Sequence, residues 1–205
     1  WGAQDWAAAS AAAPDGVLAH KVGSAEEVQA YDRALASAPA HTRLWVMIET
    51  ASALLNLREI GAASKTTRLQ ALVVGTNDLT LDLRCRKRAD RAPLLPALAL
   101  SVAAARANGL IAFDGVLNEF EDDAAFETEA TQGAELGFDG KTLIHPRQIE
   151  ACNRIFGPTP DQLDWARRVV EAFASPEAAG KGAIRLDGQM VERLHLAQAK
   201  RMLAG

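Results

Sequence analysis

Residues 44–49 read Leu-Trp-Val-Met-Ile-Glu, an unbroken apolar run closed by a carboxylate. Thr50 follows, and SALLNLREIGAA (residues 52–63) continues in a helical pattern. An apolar run with no polar alternation marks a strand covered on both faces, and hence a parallel sheet flanked by helices. Thr50 carries the side-chain oxygen that a helix N-cap requires.

The same unit recurs on either side. Upstream, Gly16–His20 (GVLAH) reads as a strand ending at Lys21, and Ser24 with Glu27 forms a capping box ahead of the helix Val28–Leu35. Downstream, Ala71–Gly75 (ALVVG) leads into Thr76-Asn77-Asp78, and a helix over Pro93–Asn108 stops at Gly109. Leu110–Phe113 is the fourth strand, followed by Asp114-Gly115 and a helix capped by Asp122 or Asp123 that runs to Leu136. A fifth strand is expected around Lys141–Ile144, ending at His145-Pro146. Beyond it only helices are read: one after Pro146, one with Thr159 as N-cap and Pro160 at N1, and one near Met190–Leu203, with Gly180–Gly188 as a loop.

Five strand–helix units do not close a (β/α)8 barrel, which takes about 250 residues. Two architectures remain: a TIM-type barrel whose first strands precede this stretch, or an open doubly wound sheet. No Gly-x-Gly-x-x-Gly follows a strand, which argues against dinucleotide binding.

The bulk composition is that of a globular α/β chain: 205 residues, 49% hydrophobic and 23% charged, with only 5% aromatic. A net charge of -4 gives no electrostatic footprint for nucleic acid, and no apolar run is long enough to span a bilayer. No signal-peptide pattern is read at the N-terminus. Cys85 and Cys152 have neither metal-ligand spacing nor a disulfide framework, so a reducing, cytoplasmic setting is expected.

In parallel α/β folds the working side chains stand at the C-terminal ends of strands. Those positions hold Lys21, Glu49, Asp78, Asp114 and His145. If the strands ahead of Glu49 and Asp78 pair, they lie about 4.8 Å apart and both carboxylates reach one ion. Two carboxylates without a nearby His or Cys suit Mg²⁺, which keeps several of its waters. The plain alternative is that both carboxylates cap the helices that follow. Asp114 reads as a turn cap before Gly115. The basic run Arg84-Cys85-Arg86-Lys87-Arg88 reads either as a phosphate-attracting rim or as a solvated loop.

The segments LWVMIETASALLNLREI, VVGTNDLTLDL, GLIAFDGVLNEFED and GFDGKTLIHPRQIEACNRIFGPT, in this order and spacing, resemble the HpcH/HpaI aldolase and citrate lyase family. DGVLAHKVGSAEEV near the start and GAIRLDGQMVERLHLAQAKRML at the end extend the resemblance over almost the whole chain. It points to the branch of citrate lyase beta subunits and malyl-CoA lyases.

The resemblance implies a (β/α)8 barrel whose remaining strands, with an arginine for the substrate carboxylate, lie ahead of Trp1. Residues 1–158 would be the C-terminal part of that barrel, and 159–205 a helical extension reaching a neighbouring subunit. Glu49 and Asp78 match the family's Mg²⁺ ligands. Lys21 matches a lysine of the family's Leu-Pro-Lys-x-Glu-Ser segment, here His-Lys-Val-Gly-Ser, and would bind substrate. His145 would form part of the site wall. Glu192 stands where related CoA lyases carry an aspartate acid/base that enters the neighbouring subunit's site, and the proline expected after it is replaced by Leu194.

The implied activity is Mg²⁺-dependent cleavage of a 3-hydroxyacyl-CoA thioester of the citryl, malyl or citramalyl type to acetyl-CoA and a 2-oxo acid or glyoxylate. The implied assembly is a homo-oligomer, trimer or hexamer, with no nucleic-acid or membrane partner. Two rivals share the site residues: a CoA-independent class II pyruvate aldolase, and a non-catalytic paralogue acting as a binding subunit.

Overall fold

The structure, a computed structural model, describes residues 2–204. In chain order its elements are α1 (Ala3–Ala12), β1 (Gly16–Ala19), α2 (Ala25–Ala34), β2 (Arg43–Ile48), α3 (Ala51–Leu55), α4 (Leu57–Ala62) and β3 (Leu69–Val74). There follow α5 (Thr76–Asp82), α6 (Leu95–Ala107), β4 (Ile111–Asp114), α7 (Asp123–Leu136), β5 (Gly140–Lys141) and α8 (Gln148–Phe156). The last elements are α9 (Pro160–Ala174), β6 (Ala183–Leu186), β7 (Gln189–Glu192) and α10 (Arg193–Ala204). The chain divides into two compact units, residues 1–156 and 157–205.

In the first unit all strand pairings are parallel, in the order β1-β2-β3-β4-β5. That order chooses between the two architectures. A doubly wound sheet reverses direction at a switch point, whereas here every crossover advances one strand the same way. The sheet is the singly wound wall of a (β/α)8-type barrel, and it remains open among the described residues, with β1 and β5 at its edges.

Side chains alternate across this wall. Leu44, Val46, Ile48, Leu72, Val74 and Ala112 point outward into one core with Val28, Ile60, Leu98 and Val102 of the helices. Each fully buried Leu, Ile or Val in such a layer contributes about 1.5–3 kcal/mol. Trp45 and Phe113 point the other way and lie 5.3 Å apart, ring to ring.

The expected N-caps form, although the Ser24–Glu27 box closes on one side only, since Glu27 Oε2 accepts from Gly23 N at 2.6 Å rather than from Ser24 N. Ser24 Oγ accepts from Glu27 N, Asp122 Oδ1 from Ala125 N and Thr159 Oγ1 from Gln162 N, while Gly109 and Gly137 end their helices at positive φ.

Four expectations need correction. The helix read through residues 52–63 breaks at Asn56, whose side-chain amide donates to the Gly23 carbonyl at 2.7 Å. The fifth strand ends at Lys141, because Thr142 bonds the Asp114 carbonyl through both its N–H and its hydroxyl, and the chain then leaves the sheet. Helix α1 was not foreseen. The stretch expected to be a loop before the last helix holds a β-hairpin, described next.

In the second unit α9 and α10 accompany the antiparallel pair β6–β7, around a small core of Ala166, Val169, Val191 and Ala199. Leu186 pairs with Gln189, so the turn is the two residues Asp187-Gly188, both at positive φ (50° and 80°). Asp-Gly is a favoured pair for this primed turn. No helix among the described residues is long and apolar enough to cross a membrane.

Candidate active site

Glu49 is the first residue after β2 and is only 2% exposed. It faces the same side of the wall as Trp45 and Met47. One carboxylate oxygen accepts the backbone N–H of Lys21 at 2.6 Å. Thr50, not Glu49, caps the helix that follows, by accepting from Ala53 N. The capping alternative therefore fails for Glu49.

Asp78 does not end a strand. It lies in the first turn of α5, beyond β3, and no side chain caps that helix. Its Oδ1 instead accepts the Lys21 ammonium at 2.9 Å. Gly75 makes this junction possible: a Cβ there would stand 2.6 Å from the Glu49 Cβ and 2.9 Å from its Oε2.

Lys21 sits just past β1 with φ at +53°, a left-handed conformation uncommon for a side-chain-bearing residue. In that pose its N–H meets Glu49 and its ammonium meets Asp78. The hydrogen bond to Asp78, then the charges of Asp78 and Glu49, hold the Lys21 pKa above the ordinary lysine value. Lys21, Glu49 and Asp78 line one cavity of about 760 Å³ with His20, Tyr31 and Trp6. Three of the expected site residues are thus brought together.

Among the described residues no group of three His, Cys, Asp or Glu side chains is clustered as a metal cage. A pair of carboxylates beside an open cavity, with a lysine ammonium already on one of them, fits a cation that completes its shell with water and substrate oxygens. That is the habit of Mg²⁺ rather than of Zn²⁺.

His145 is placed elsewhere. It is exposed, stacks on Phe120 with ring centroids 5.0 Å apart, and accepts from Arg147 N through Nδ1. It is not among the residues lining the Glu49–Asp78 cavity. Glu192 closes β7 in the second unit, and its backbone N–H donates to Nδ1 of His195 at 2.9 Å. In the basic run, Lys87 pairs with Glu119 at 2.7 Å and Arg88 with Asp90 at 2.7 Å, all exposed.

Asp114 does more than cap a turn. It is fully buried, and Nη1 of Arg91 reaches both of its oxygens at 2.8 and 2.7 Å. Lys141 Nζ lies 3.4 Å from Asp114 and 2.6 Å from Glu129. Two cations and two carboxylates therefore balance inside the protein, where an unpaired charge is costly. Sequence reading passed over Arg91, Glu129 and Lys141; only the lysine, inside an expected strand, offered a signal.

Residues 1–146 match the profile of the HpcH/HpaI aldolase/citrate lyase family. The chain belongs to that family. It is 42% identical over 204 residues to a (3S)-malyl-CoA thioesterase of Cereibacter sphaeroides, covering 100% of this chain and 69% of the relative. To the citrate lyase subunit beta of Escherichia coli K12 it is 33% identical over 211 residues, covering 100% and 69%. Among solved structures, protein CitE from Mycobacterium tuberculosis in complex with magnesium, acetoacetate and coenzyme A superposes with a TM-score of 0.72 at 30% identity, over 93% of this chain and 67% of that one. The chain is thus a member of an enzyme family whose relatives include CoA-thioester hydrolases and lyase subunits, and its parallel wall is the barrel type of the HpcH/HpaI aldolase/citrate lyase family.

Proposed function

We propose that this chain is part of a Mg²⁺-dependent carbon–carbon lyase that cleaves a 3-hydroxyacyl-CoA thioester of the malyl or citryl type to acetyl-CoA and glyoxylate or a 2-oxo acid. The observation that carries the reading is the Glu49–Asp78 pair at the edge of a cavity, both bound to Lys21, Glu49 by its backbone N–H and Asp78 by its ammonium. Magnesium titration and product analysis test it.

In this reading Glu49 and Asp78 hold the metal, which supplies Lewis-acid stabilisation of the negative charge that builds on the substrate oxygens. The chain's own residues do the rest. Burial of Glu49 and its bond from Lys21 N fix one carboxylate, while Gly75 leaves it room. The Lys21 ammonium, on a long flexible stem, turns from Asp78 to the substrate carboxylate. In cleavage the substrate hydroxyl gives up its proton to solvent as it becomes the carbonyl, and the C–C bonding pair stays on the two-carbon thioester fragment. That fragment takes a proton, for which Glu192 is the proposed donor, supplied by a neighbouring copy in a homo-oligomer. His145, exposed on Phe120 and outside the cavity lining, takes no step in this reading.

A second reading is thioester hydrolysis, favoured by the 42% identity to a protein named for that activity. The test uses the full protein, a panel of hydroxyacyl-CoA esters, and the Glu49→Gln variant. Acetyl-CoA release that needs both Mg²⁺ and Glu49 supports the lyase. Free CoA with intact hydroxy acid supports the hydrolase. Pyruvate-dependent chemistry without any CoA ester would move the reading to the CoA-independent aldolase.

A further inference from the structure

We infer that Asp114, through the loop it anchors, is a positioning residue for Asp78, and that Asn118 and Asn77 form the clasp that transmits this. The inference rests on the reading of Glu49 and Asp78 as metal ligands.

The anchor is the buried charge network. Asp114 accepts from Arg91, from Lys141 and from the N–H of Gly115 at 2.8 Å, and the Lys141 ammonium also donates to the Gly115 carbonyl. Both peptide groups of Gly115 are therefore held by groups that are themselves buried. Arg91 is tied further, by Nε to Gln132 at 2.7 Å and by Nη2 to the Glu129 carbonyl at 3.3 Å. Four segments meet at one carboxylate: the approach to α6, the end of β4, α7 and β5.

The anchored loop touches α5 at two points. A Cβ on Gly115 would lie 2.5 Å from Thr76 Oγ1 and 2.8 Å from the Val74 carbonyl, so the loop backbone lies directly on the start of α5. Three residues on, Asn118 and Asn77 exchange a pair of amide hydrogen bonds at 3.0 and 2.9 Å. Thr76 and Asn77 are the two residues that precede Asp78. A short helix held at both of these positions cannot rotate its third residue freely, so the direction of the Asp78 carboxylate is set from Asp114.

Groups that orient a metal ligand act on affinity even though they never touch the ion, and their removal weakens binding by about ten-fold or more. The experiment is Mg²⁺ titration by calorimetry, with thermal melting, on the full chain and four variants: Asp114→Asn, Asn118→Ala, Glu49→Gln and Leu98→Ala. Leu98 is buried in the outer core and serves as a destabilised control. Asn118→Ala and Asp114→Asn are expected to weaken Mg²⁺ binding by about ten-fold, while Leu98→Ala lowers the melting temperature and leaves affinity alone. If Asp114→Asn does not fold, Asn118→Ala decides the matter, since its side chain is exposed. Unchanged affinity in Asn118→Ala, with binding lost in Glu49→Gln, overturns the positioning role. Unchanged affinity in Glu49→Gln overturns the metal reading instead.

Discussion

Lys21 bridges to Asp78 across 57 positions of sequence, its ammonium 2.9 Å from Oδ1. A divalent ion held by Asp78 has to displace that ammonium. Lys21→Met is therefore expected to tighten Mg²⁺ binding by about two- to five-fold, the scale of an exposed ion pair. In the same variant KM for a hydroxyacyl-CoA ester should rise, because the substrate carboxylate loses its partner. The pH dependence has a definite sign. The folded-state pKa of Lys21 is raised, so its stabilising contribution is complete below the unfolded lysine value of 10.5 and is lost as pH climbs through the higher folded value. Metal-free melting curves in alkaline buffers should show this loss in the wild type and not in Lys21→Met.

Gly75→Ala tests the junction between β3 and α5. The new methyl group would press on Glu49 Cβ and on Met47 Sδ, 3.0 Å away. Overpacking of this kind costs about 1–3 kcal/mol. Because the strain falls on Glu49, Mg²⁺ affinity should drop by at least about ten-fold. Calorimetric titration beside a urea melt separates the two effects.

Lys141→Met removes one cation from the buried network and leaves Asp114 and Glu129 sharing Arg91. Breaking a buried charge set this way costs about 3–5 kcal/mol. Chemical denaturation should read that loss. A cost under about 1 kcal/mol would mean that Lys141 behaves as a surface residue.

Glu192→Gln keeps shape and removes the transferable proton. Turnover on a hydroxyacyl-CoA ester should fall by about 100-fold or more, the usual share of general acid catalysis. Mg²⁺ affinity should stay at the wild-type value. Equal turnover would remove Glu192 from the reaction and leave the Glu49–Asp78 reading standing.

Most units of the wall were legible because β1 to β4 are short apolar runs, and those before α2, α3 and α7 are followed by a capping side chain. Thr50, Asp122 and Thr159 all cap where their spacing says they should. Lys21 and Glu49 were legible as positions just past strands, whereas Asp78, expected at a strand end, stands in the first turn of α5. What escaped has a physical cause in each case. Helix α1 is alanine-rich with no apolar stripe to announce it. The break at Asn56 depends on a partner, Gly23, 33 positions away. The charge network needs Arg91, Asp114, Glu129 and Lys141 to converge from separate elements, and no spacing rule registers that. The hairpin is different: Asp187-Gly188 between AIRL and QMVE is a legible turn signal, outweighed by the glycines around it.

The first turn of α5 has a bare glycine backbone against it on both flanks, Gly75 under Glu49 and Gly115 against Thr76. Neither place has space for one more carbon. Saturation mutagenesis of the chain should therefore find its least permissive stretch here rather than in the hydrophobic layer, where Leu, Ile and Val can exchange. A lineage built on this wall has little freedom to diversify at the carboxylate corner. Tolerated variation should be found instead around residues 86–90 and 119–121, where the side chains are exposed.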